Sequence, residues 1–555
     1  MFVRIKCQKG YVLAKKKTTK KKTTKKKQVV PDAKGKHLVI VESPAKARTI
    51  NRYLGDDYAV TSSVGHIRDL LAKAPKGTKK PKDLPEWKKP VPGVDLEHNF
   101  KPTYEILKGK NSLVTELKKA AKGAKDIWFA SDLDREGEAI AWHLAELLGV
   151  DPKDAKRVIF NAITKKQIEE AFQHPHPINM DFVNAQQARR ILDKVVGYQV
   201  SPLLWKRVAG GLSAGRVQSV AVRIIVEREK GIEAHIPDES WNVTGQFTLN
   251  KTDVSELSSS WASFLSTVDE RGKGPTRKAM IAFLAEHQCV EGTLVEIGGN
   301  PAKFTRSADC SDSIDKHKEK LLEMAMLIGI DNPTIDDIKN ANGKGPAKHS
   351  LIINGDVKEG ISYEVSEIAQ KDNTVRPPAP FITSSLQASA STVLGFGAKR
   401  TMRAAQSLYE GVRIKGEGQV GLITYMRTDS TNLSSDAIQA ARTFIDKSFG
   451  ASYLPEKANL YTSSNESAQE AHEAIRPTDV SRHPSSLPAS LDEDQRRLYT
   501  LIWTRFVACQ MTSAKWHRTE IFFKRTDLDT GAIFKLAGRT LAFDGFYKVS
   551  GVPAS

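Results

Sequence analysis

The sequence has few cysteines and no long apolar run. Its four cysteines (Cys7, Cys289, Cys310 and Cys509) stand far apart in 555 residues and form no CxxC pair. This spacing argues against a disulfide framework and against a zinc ribbon built from this chain, and it predicts a reducing, intracellular setting. No run approaches the roughly 18 apolar residues that a membrane span requires. We therefore expect neither a zinc site nor a membrane segment.

Acidic residues are scarce at the start of the chain. The composition, 40% hydrophobic and 27% charged, is that of a globular protein, and 555 residues allow three to four domains of roughly 150 residues. Residues 1–36 hold 14 Lys/Arg and a single acid, so most of the formal net charge of +19 belongs to this segment. Its repeat KKKTTKKKTTKKK predicts a disordered tail. The tail is either a solvated or targeting segment, or a nonspecific clamp on a polyphosphate backbone.

Two short apolar runs indicate buried parallel strands. They are HLVIV (37–41) and DIWFA (126–130), and a helical pattern follows each of them. Ser43 suits the cap of the first helix and Pro44 its first position. The alternation of strand and helix predicts an α/β domain with a parallel sheet over 37–180.

The rest of the chain predicts helical and strand-rich regions in turn. We expect a helical region at 181–240, a strand-rich region at 241–383 with helices near 276–287 and 315–329, a helical region at 384–512, and strands within 513–555. The expected fold class is therefore multidomain, α/β + α + β.

Acidic residues cluster where the two predicted strands end. Asp132 and Asp134 follow the second strand, and Glu136 opens the next helix. Glu42 stands in the equivalent place after the first strand. Four acids brought together at this edge of the sheet would repel one another unless they held a hard cation, Mg²⁺ by preference. The alternative is a solvated helix N-terminus, because the DxDxE spacing alone is common.

A tyrosine and an arginine stand two residues apart in GLITYMRTDS. A tyrosine with its ordinary pKa of about 10 is a poor nucleophile unless a cation stabilises the phenolate or the attacked phosphate. Arg427 suits both tasks beside Tyr425, because a guanidinium binds phosphate oxygens bidentately. His472, in QEAHEAIRP, is a candidate for a further phosphate contact. The alternatives are structural: a strand whose Tyr425 and Arg427 only pack, and a structural histidine.

Longer segments of the sequence resemble bacterial type IA DNA topoisomerases. They follow the family's order and are LVIVESPAKARTI (38–50), SSVGHIRDL (62–70), ASDLDREGEAIAWHL (130–144), NAQQARRILDKVVGYQVSPLLWKRVAGGLSAGRVQSVAVR (184–223), RPPAPFITSSLQ (376–387), GLITYMRTDSTNLS (421–434) and AQEAHEAIRPTDV (468–480). The methionine at position 426 resembles the topoisomerase I branch of the family, because topoisomerase III typically has Pro at this position.

The resemblance implies a fold and a reaction. The α/β domain would be of the Toprim type (Rossmann-like), with Mg²⁺ held by Glu42, Asp132, Asp134 and Glu136, followed by helical DNA-binding and nucleophile domains and a partial β-rich arch. Tyr425 would attack one DNA strand and form a 5′-phosphotyrosine. Strand passage and religation would then relax negative supercoils without ATP.

The resemblance also assigns roles to individual residues. Arg427 would steady the transition state, Lys46 would reach the scissile phosphate, Glu42 would exchange a proton with the ribose oxygen, and His472 would assist at the phosphate. Arg and aromatic side chains suit phosphate contacts and base stacking on a single strand. The residues implied in DNA binding are His66, Arg189, Arg190, Asp193, Tyr198, Trp205, Ser213, Ala214, Gly215, Arg216, Val217, Gln218 and Arg427. The expected partner is single-stranded or negatively supercoiled DNA, bound by a monomer in a bacterial cytoplasm or nucleoid.

The sequence departs from the family pattern at several places. Lys194 stands where relatives often have Arg, which would weaken a bidentate contact. Ala162 replaces a common acid, and we have no account of its effect. Residues 251–372 match poorly and look longer than the usual arch segment. Family members also continue beyond the equivalent of Phe546–Tyr547, through the rest of the arch and the base domain and, in many, zinc ribbons. We therefore expect an incomplete arch sheet with an unpaired edge.

These departures leave more than one function open. The first is the complete topoisomerase reaction. The second is a truncated paralogue or fragment that binds single-stranded DNA without completing strand passage. The third is a nuclease or primase of the Toprim type, which shares the acidic cluster but has no use for Tyr425 in its YMRTDS setting.

Overall fold

A computed structural model describes most of the chain. The described residues are 30–73, 85, 90–236, 239–241, 243–249, 254–270, 272–302, 304–306, 314–339, 349–358, 360–461, 473–528 and 531–553. Most of the predicted Lys-rich tail and the candidate His472 therefore lie outside the described residues. Among the helices that the structure describes, none is long and apolar enough to cross a membrane.

Twenty strands are distributed along the described chain. In chain order they are β1 (His37–Val41), β2 (Tyr58–Ser62), β3 (Arg68–Leu70), β4 (Val94–Asp95), β5 (Lys101–Pro102), β6 (Tyr104–Ile106), β7 (Asp126–Phe129), β8 (Lys156–Arg157), β9 (Glu239–Trp241), β10 (Thr244–Thr248), β11 (Cys289–Ile297), β12 (Asn300–Pro301), β13 (Phe304–Arg306), β14 (Ile330–Lys339), β15 (His349–Val357), β16 (Tyr363–Val375), β17 (Val412–Ile414), β18 (Gly418–Val420), β19 (Ala514–Arg525) and β20 (Ile533–Phe543).

Fourteen α-helices accompany these strands in the described residues. They are α1 (Pro44–Leu54), α2 (Asn111–Gly123), α3 (Arg135–Leu148), α4 (Lys165–Gln173), α5 (Met180–Arg207), α6 (Arg216–Ala234), α7 (Val254–Ser266), α8 (Arg277–Glu286), α9 (Ile314–Ile328), α10 (Thr383–Ser389), α11 (Ala398–Glu410), α12 (Ser435–Phe449), α13 (Glu493–Cys509) and α14 (Tyr547–Ser550). The fold class is the multidomain α/β + α + β arrangement that the sequence predicts.

The described residues form two compact units. Unit 1 consists of residues 30–73, 103–160 and 168–187, and unit 2 contains the remainder. The predicted α/β boundaries, 37–180, differ from unit 1 because residues 90–102 and 161–167 group with unit 2.

Unit 1 is built on a parallel sheet with the strand order β2-β1-β7-β8. The core contains Leu38 and Ile40 from β1, Phe129 from β7, and Leu144 from α3, all buried. Because β1 and β7 are parallel neighbours, the loops that follow them leave from the same edge of the sheet. This edge carries the predicted acidic cluster.

Local capping signals fix the two helices that follow these strands. The Ser43 side chain accepts a hydrogen bond from the Lys46 backbone N–H, with Pro44 at the first position of α1. Asp134 caps α3 in the same way, and Gly149 ends α3 in the left-handed conformation (φ 74°).

Residues 30–36 differ from the prediction of a disordered tail over 1–36. Ala33 is fully buried in the core of unit 1, and Val30 packs against that core. The Gly35 backbone N–H donates to the Gly123 carbonyl oxygen at 3.0 Å. The sequence prediction placed this boundary too late because it followed the lysine content and overlooked the apolar VVPDA segment.

The main sheet of unit 2 joins two distant parts of the chain. Its strand order is β10-β11-β20-β19-β16, with β12 paired to β11. The predicted strand regions 241–383 and 513–555 therefore contribute to one sheet. Phe247, Phe523 and Phe534 pack together in its core, with the rings of Phe247 and Phe523 stacked at 5.0 Å.

Two stretches of unit 2 depart from the predicted elements. The region 384–512 is less helical than predicted, since the hairpin β17–β18 and the non-helical residues 421–434 lie between α11 and α12. The final predicted strand stops at Phe543, and α14 follows it. The cause is a turn at Gly545 (φ 50°), where an added Cβ would lie 2.6 Å from the Ser513 carbonyl oxygen.

Candidate active site

The acidic edge of unit 1 is organised around Glu42. This residue follows β1, and its carboxylate accepts a hydrogen bond from the backbone N–H of Asp132, which follows β7. The Glu42 carbonyl oxygen also accepts from Gly65 N–H at 2.8 Å. The loops after β1, β2 and β7 are thereby joined at one place, as the parallel sheet predicts.

Lys46 lies within this edge rather than on the surface. Its side chain is fully buried, and its ammonium forms an ion pair and hydrogen bond with Asp132 Oδ1. The same ammonium lies 3.8 Å from Glu42 Oε2, one helical turn away. In this structure Lys46 contacts two of the candidate metal ligands, and its contact with the scissile phosphate stays a prediction.

The other two acids have different partners. Asp134 accepts a hydrogen bond from Gly137 N–H at 2.8 Å, so it serves as a helix cap. Glu136 Oε2 lies 2.8 Å from His66 Nε2 and 3.3 Å from Gln186 Nε2. In the part of the chain that the structure describes, no three His, Cys, Asp or Glu side chains are placed to hold one metal ion. The Mg²⁺ site at the four acids stays a prediction, and in this arrangement each of the four carboxylates has a protein partner.

The surroundings of Glu42 at this edge nevertheless disfavour its charged carboxylate form. Burial of its carboxyl, and next the neighbouring Asp132 carboxylate, raise the pKa of Glu42 from its ordinary 4.5 to about 7. Lys46 acts in the opposite direction. Carboxylate oxygens are the ligand atoms that Mg²⁺ prefers. In this structure the positively charged Lys46 ammonium contacts two of these carboxylates. The donor chemistry therefore fits Mg²⁺, although the side chains are not arranged around one.

A buried ion pair supports the loop that carries Asp132. The guanidinium of Arg157 is fully buried and donates to Glu138 Oε2 at 2.9 Å. It also donates to the carbonyl oxygens of Ser131 at 2.9 Å and Asp132 at 2.7 Å. Sequence reasoning missed this pair, although Glu138 lies within the quoted motif ASDLDREGEAIAWHL.

In unit 2 the predicted nucleophile is buried. Tyr425 is 3% exposed, and its ring meets that of Tyr409 edge to face at 5.2 Å. Its backbone N–H donates to the Asn161 carbonyl oxygen at 2.8 Å. Arg427, two residues further, is exposed. The two candidate residues thus differ in their access to solvent, and the tyrosine is fixed within the fold.

Hydrogen bonds hold the segment around Tyr425 on two sides. On one side Thr383 accepts from Thr428 N–H at 2.9 Å, and its hydroxyl donates to the Met426 carbonyl oxygen at 2.8 Å. On the other side the Thr424 hydroxyl donates to the Ala474 carbonyl oxygen at 2.7 Å, and Thr424 N–H donates to the Arg476 carbonyl oxygen at 2.9 Å. Tyr425 therefore stands on a fixed backbone rather than on a mobile loop.

A second buried ion pair stabilises this frame. Arg476 donates to both oxygens of Glu473, at 2.6 and 3.0 Å, and the two side chains are less than one tenth exposed. Glu473 also accepts from Ser434 N–H at 2.9 Å, beside the start of α12. Sequence reasoning singled out the neighbouring His472 and missed this pair. The available signal was an acid and an arginine three residues apart in EAIRP.

The residues predicted to bind a DNA strand are mostly grouped on α5 and the loop that follows it. Arg189, Arg190, Tyr198 and Trp205 are exposed on the helix. The predicted segment Ser213–Gln218 folds back onto α5. Arg216 Nε lies 2.8 Å from Asp193 Oδ1, and Ala214 N–H donates to Ser201 Oγ at 3.0 Å. Leu212, the residue before this segment, accepts a hydrogen bond at its carbonyl oxygen from Trp205 Nε1 at 2.6 Å. The structure brings these residues together in unit 2, whereas His66 belongs to unit 1.

The structure describes the surroundings of two residues that depart from the family pattern, Lys194 and Ala162. The Lys194 ammonium lies 5.9 Å from the centre of the Tyr198 ring. Ala162 is buried, and its backbone N–H donates to Gln167 Oε1 at 2.7 Å. Nothing in the structure explains why an alanine stands there.

Comparisons with known proteins find two family matches in this chain. A family described as DNA topoisomerase matches residues 177–278 and 336–554, and a family described as Toprim domain matches residues 37–163. Both acidic strand ends of unit 1 lie in the second match, and Tyr425 lies in the first.

Individual relatives cover almost the whole chain. DNA topoisomerase 1 of Pseudomonas aeruginosa is 43% identical over 532 residues, which are 93% of this chain and 51% of that protein. DNA topoisomerase 1 of Escherichia coli is 44% identical over 527 residues, covering 93% of this chain and 50% of that protein. The chain spans about half the length of these curated relatives.

A solved structure gives the same result. Full-length topoisomerase I from Thermotoga maritima superposes with a TM-score of 0.63 and 32% identity, covering 93% of this chain and 68% of that chain. The resemblance found in the sequence is confirmed, and the chain belongs to the bacterial type IA DNA topoisomerase family.

Proposed function

We propose that the chain cleaves and rejoins one strand of DNA through Tyr425. The observation that carries this proposal is the fixed placement of Tyr425 in a segment held on both sides, with Arg427 exposed two residues away. Positioning a nucleophile in advance lowers the entropic cost of reaction. A nuclease or primase of the Toprim type would have no use for such a tyrosine.

The proposed chemistry is a transesterification. The hydroxyl of Tyr425 gives up its proton as its oxygen attacks phosphorus, the bond from phosphorus to the 3′ oxygen breaks, and the departing 3′ oxygen takes up a proton. The products are a 5′-phosphotyrosine and a free 3′-hydroxyl, and attack by that hydroxyl reverses the reaction. The ester conserves the energy of the broken bond, so the reaction needs no ATP.

Charged residues of the chain stabilise the transition state and exchange the proton in this reaction. Arg427 stabilises negative charge on the phosphate oxygens as the bond changes. Glu42, with a pKa of about 7, is suited to exchange a proton with the 3′ oxygen. His472 is proposed to assist at the phosphate. Glu42, Asp132, Asp134 and Glu136 would hold Mg²⁺, which would supply positive charge near the DNA.

Strand binding is assigned to the α5 surface. Arg189, Arg190 and Trp205 offer cations and an aromatic ring on one exposed helix, a combination that suits phosphate contact and base stacking. In the complete reaction a second strand passes through the gap before religation, and negative supercoils relax.

A direct test is trapping of the covalent adduct. The chain is incubated with a 3′-labelled single-stranded oligonucleotide and Mg²⁺, then denatured, beside the variant Tyr425→Phe. We expect protein-linked label with the wild-type chain and none with the variant. Label that persists in the variant would refute Tyr425 as the nucleophile.

The second candidate is DNA binding without cleavage. The exposed basic side chains of α5 and α6 favour it, since they suit binding whether or not Tyr425 reacts. Tight, salt-sensitive oligonucleotide binding with no adduct at any Mg²⁺ concentration would select this function.

A further inference from the structure

Tyr409 lies against the proposed nucleophile. It belongs to the last turn of α11 and is fully enclosed. Its ring meets the ring of Tyr425 edge to face, with the ring centres 5.2 Å apart and the ring planes at 63° to each other. Aromatic pairs favour this geometry at separations of about 4.5–7 Å, and such a pair stabilises a fold beyond the area that it buries. The Tyr425 ring therefore has a direct neighbour of fixed shape.

The backbone around Tyr409 fixes where the two rings meet. The hairpin of β17 and β18 returns the chain to the end of α11. Leu422 N–H donates to the Leu408 carbonyl oxygen at 2.8 Å. Gly421 packs so closely that an added Cβ would lie 2.8 Å from the Tyr409 carbonyl oxygen. The last turn of α11 thus holds the segment that leads to Tyr425 through backbone contacts as well as through the ring contact.

A fixed backbone does not by itself aim the phenolic oxygen of Tyr425. The hydrogen bonds that hold residues 424 and 425 are made by backbone atoms and by the Thr424 hydroxyl. They leave the side-chain torsions of Tyr425 to packing, and rotation about the second torsion of an aromatic residue is broad. Attack requires the reacting atoms to be about 3–3.5 Å apart and aligned, so a small error in ring direction lowers the reactive population. A neighbouring ring at the end of a helix limits that error.

We propose that Tyr409 is a positioning residue for the transesterification, and that its ring sets the direction of the Tyr425 side chain. It acts through Tyr425 and contacts neither the DNA nor the reacting atoms. This inference rests on the proposed function and adds to it a residue outside the set that the family resemblance implies. If Tyr409 were only a core residue, its loss would lower stability and leave the reaction of the folded chain unchanged.

The first measurement is the rate of adduct formation in a single turnover at saturating oligonucleotide. Tyr409→Leu keeps an apolar side chain but has no ring, so the rate should fall about tenfold to a hundredfold, as for a misplaced reacting group. Tyr409→Phe keeps the ring and should retain most of the wild-type rate. The dissociation constant of the oligonucleotide, measured in a Tyr425→Phe background, should be the same with and without Tyr409→Leu. An equal loss of rate in Tyr409→Phe would overturn positioning by the ring.

Tyr499→Leu is the matched control for the loss of core packing. Tyr499 is equally enclosed in unit 2, on α13, and its hydroxyl donates to the Arg482 carbonyl oxygen at 2.8 Å. Both leucine variants should lower the thermal midpoint, but only Tyr409→Leu should slow adduct formation by the folded chain. Equal rates in the two would show that Tyr409 acts only as a core residue and would overturn the proposal. If Tyr409→Leu does not fold, Tyr409→Met gives the same comparison with a flexible side chain that fills more of the space.

The second measurement follows the Tyr425 ring without DNA. The chain is labelled with fluorotyrosine, and the fluorine resonance of Tyr425 is identified by its absence from Tyr425→Phe. Tyr409→Leu should shift this resonance, because an adjacent ring changes the local magnetic field, whereas Tyr499→Leu should leave it in place. An unmoved resonance in Tyr409→Leu would contradict the inference.

The outcomes separate this inference from the proposed function. A wild-type adduct that forms at the same rate in Tyr409→Leu would refute the positioning role alone. Absence of any adduct with the wild-type chain would refute cleavage through Tyr425 and the positioning role with it, whatever the fluorine resonance shows.

Discussion

Arg157 Nη2 donates to the carbonyl oxygen of Asp132 at 2.7 Å, so a buried guanidinium holds the backbone of a candidate metal ligand. The same guanidinium pairs with Glu138, which also accepts from Asn179 N–H at 2.7 Å. The position of the Asp132 backbone and the stability of unit 1 therefore both depend on the Arg157 side chain. The two can be separated by mutation.

We predict that Arg157→Met lowers both the stability of unit 1 and the yield of the DNA adduct. Leaving Glu138 buried without its partner should cost about 3–5 kcal/mol of unfolding free energy, measured by urea denaturation. The double variant Arg157→Met with Glu138→Leu should recover much of that stability, because no buried charge is left unpaired. If Arg157 positions Asp132, adduct yield stays low in the double variant. Recovery of both quantities would mean that Arg157 is only structural.

We predict that Gly421→Ala strains the backbone that leads to Tyr425. An added Cβ at Gly421 would lie 2.8 Å from the Tyr409 carbonyl oxygen and 3.1 Å from that of Ile163, and neither backbone can move cheaply. The expected loss is about 1–3 kcal/mol, with a lower adduct yield. Gly538→Ala is the control, since nothing lies within 4 Å of a Cβ there. Equal thermal midpoints for the two variants would contradict this interpretation.

We predict that His143 makes unit 1 sensitive to acid. Burial, and next the Arg68 guanidinium, lower the pKa of His143 from 6.5 to about 3, and Arg68 Nε donates to its Nδ1 at 3.1 Å. The folded state therefore favours the neutral ring. Its stabilisation is complete above pH 6.5 and is lost as the pH falls toward 3, because the unfolded chain takes up the proton first.

The size of this effect is measurable. Between pH 7 and pH 4.5 the loss should be about 2–3 kcal/mol, followed by urea unfolding with fluorescence of Trp142, whose ring lies 4.7 Å from that of His143. His143→Asn retains an acceptor for Arg68 but has no proton to gain. Its stability should fall less steeply over the same interval, and an identical slope would exclude His143 as the cause.

We predict that Glu473→Gln destabilises the frame around Tyr425. The change leaves the Arg476 guanidinium buried without its counter-charge, which should cost about 3–5 kcal/mol. Asp494→Asn is the matched control, because it also breaks a bidentate pair, with Arg400, but at an exposed site. The control should lose far less stability. Similar midpoints of thermal unfolding for the two variants would show that burial of the Glu473 pair has no special importance.

Local signals in the sequence were enough to predict several elements. The run HLVIV, with Ser43 and Pro44 after it, defines β1 and the start of α1, and the structure has both. The helices expected near 276–287 and 315–329 correspond to α8 and α9. Helix α7 was not predicted, because its sequence VSELSSSWASFLS is rich in serine, which has a modest helix propensity.

The pairings that define the candidate site could not be predicted in the same way. Lys46 and Asp132 are 86 residues apart, and Thr383 and Thr428 are 45 apart, so no periodicity relates them. The sequence supplied the charged residue types near Asp132, but only the fold shows that the Lys46 side chain is buried against Asp132 and Glu42. The local sequence pattern predicts a helical region that includes residues 421–434. Their non-helical conformation depends on partners distant in the chain, which a local pattern does not reveal.

The pairing of β16 with β19 has a further topological consequence. Val375, the last residue of β16, is the register partner of Ala514, the first residue of β19. Residues 376–513, which include Tyr425, are therefore an insertion into what would otherwise be a β-hairpin. Their two ends are adjacent, so the region that carries the proposed nucleophile enters and leaves the sheet through a single paired junction.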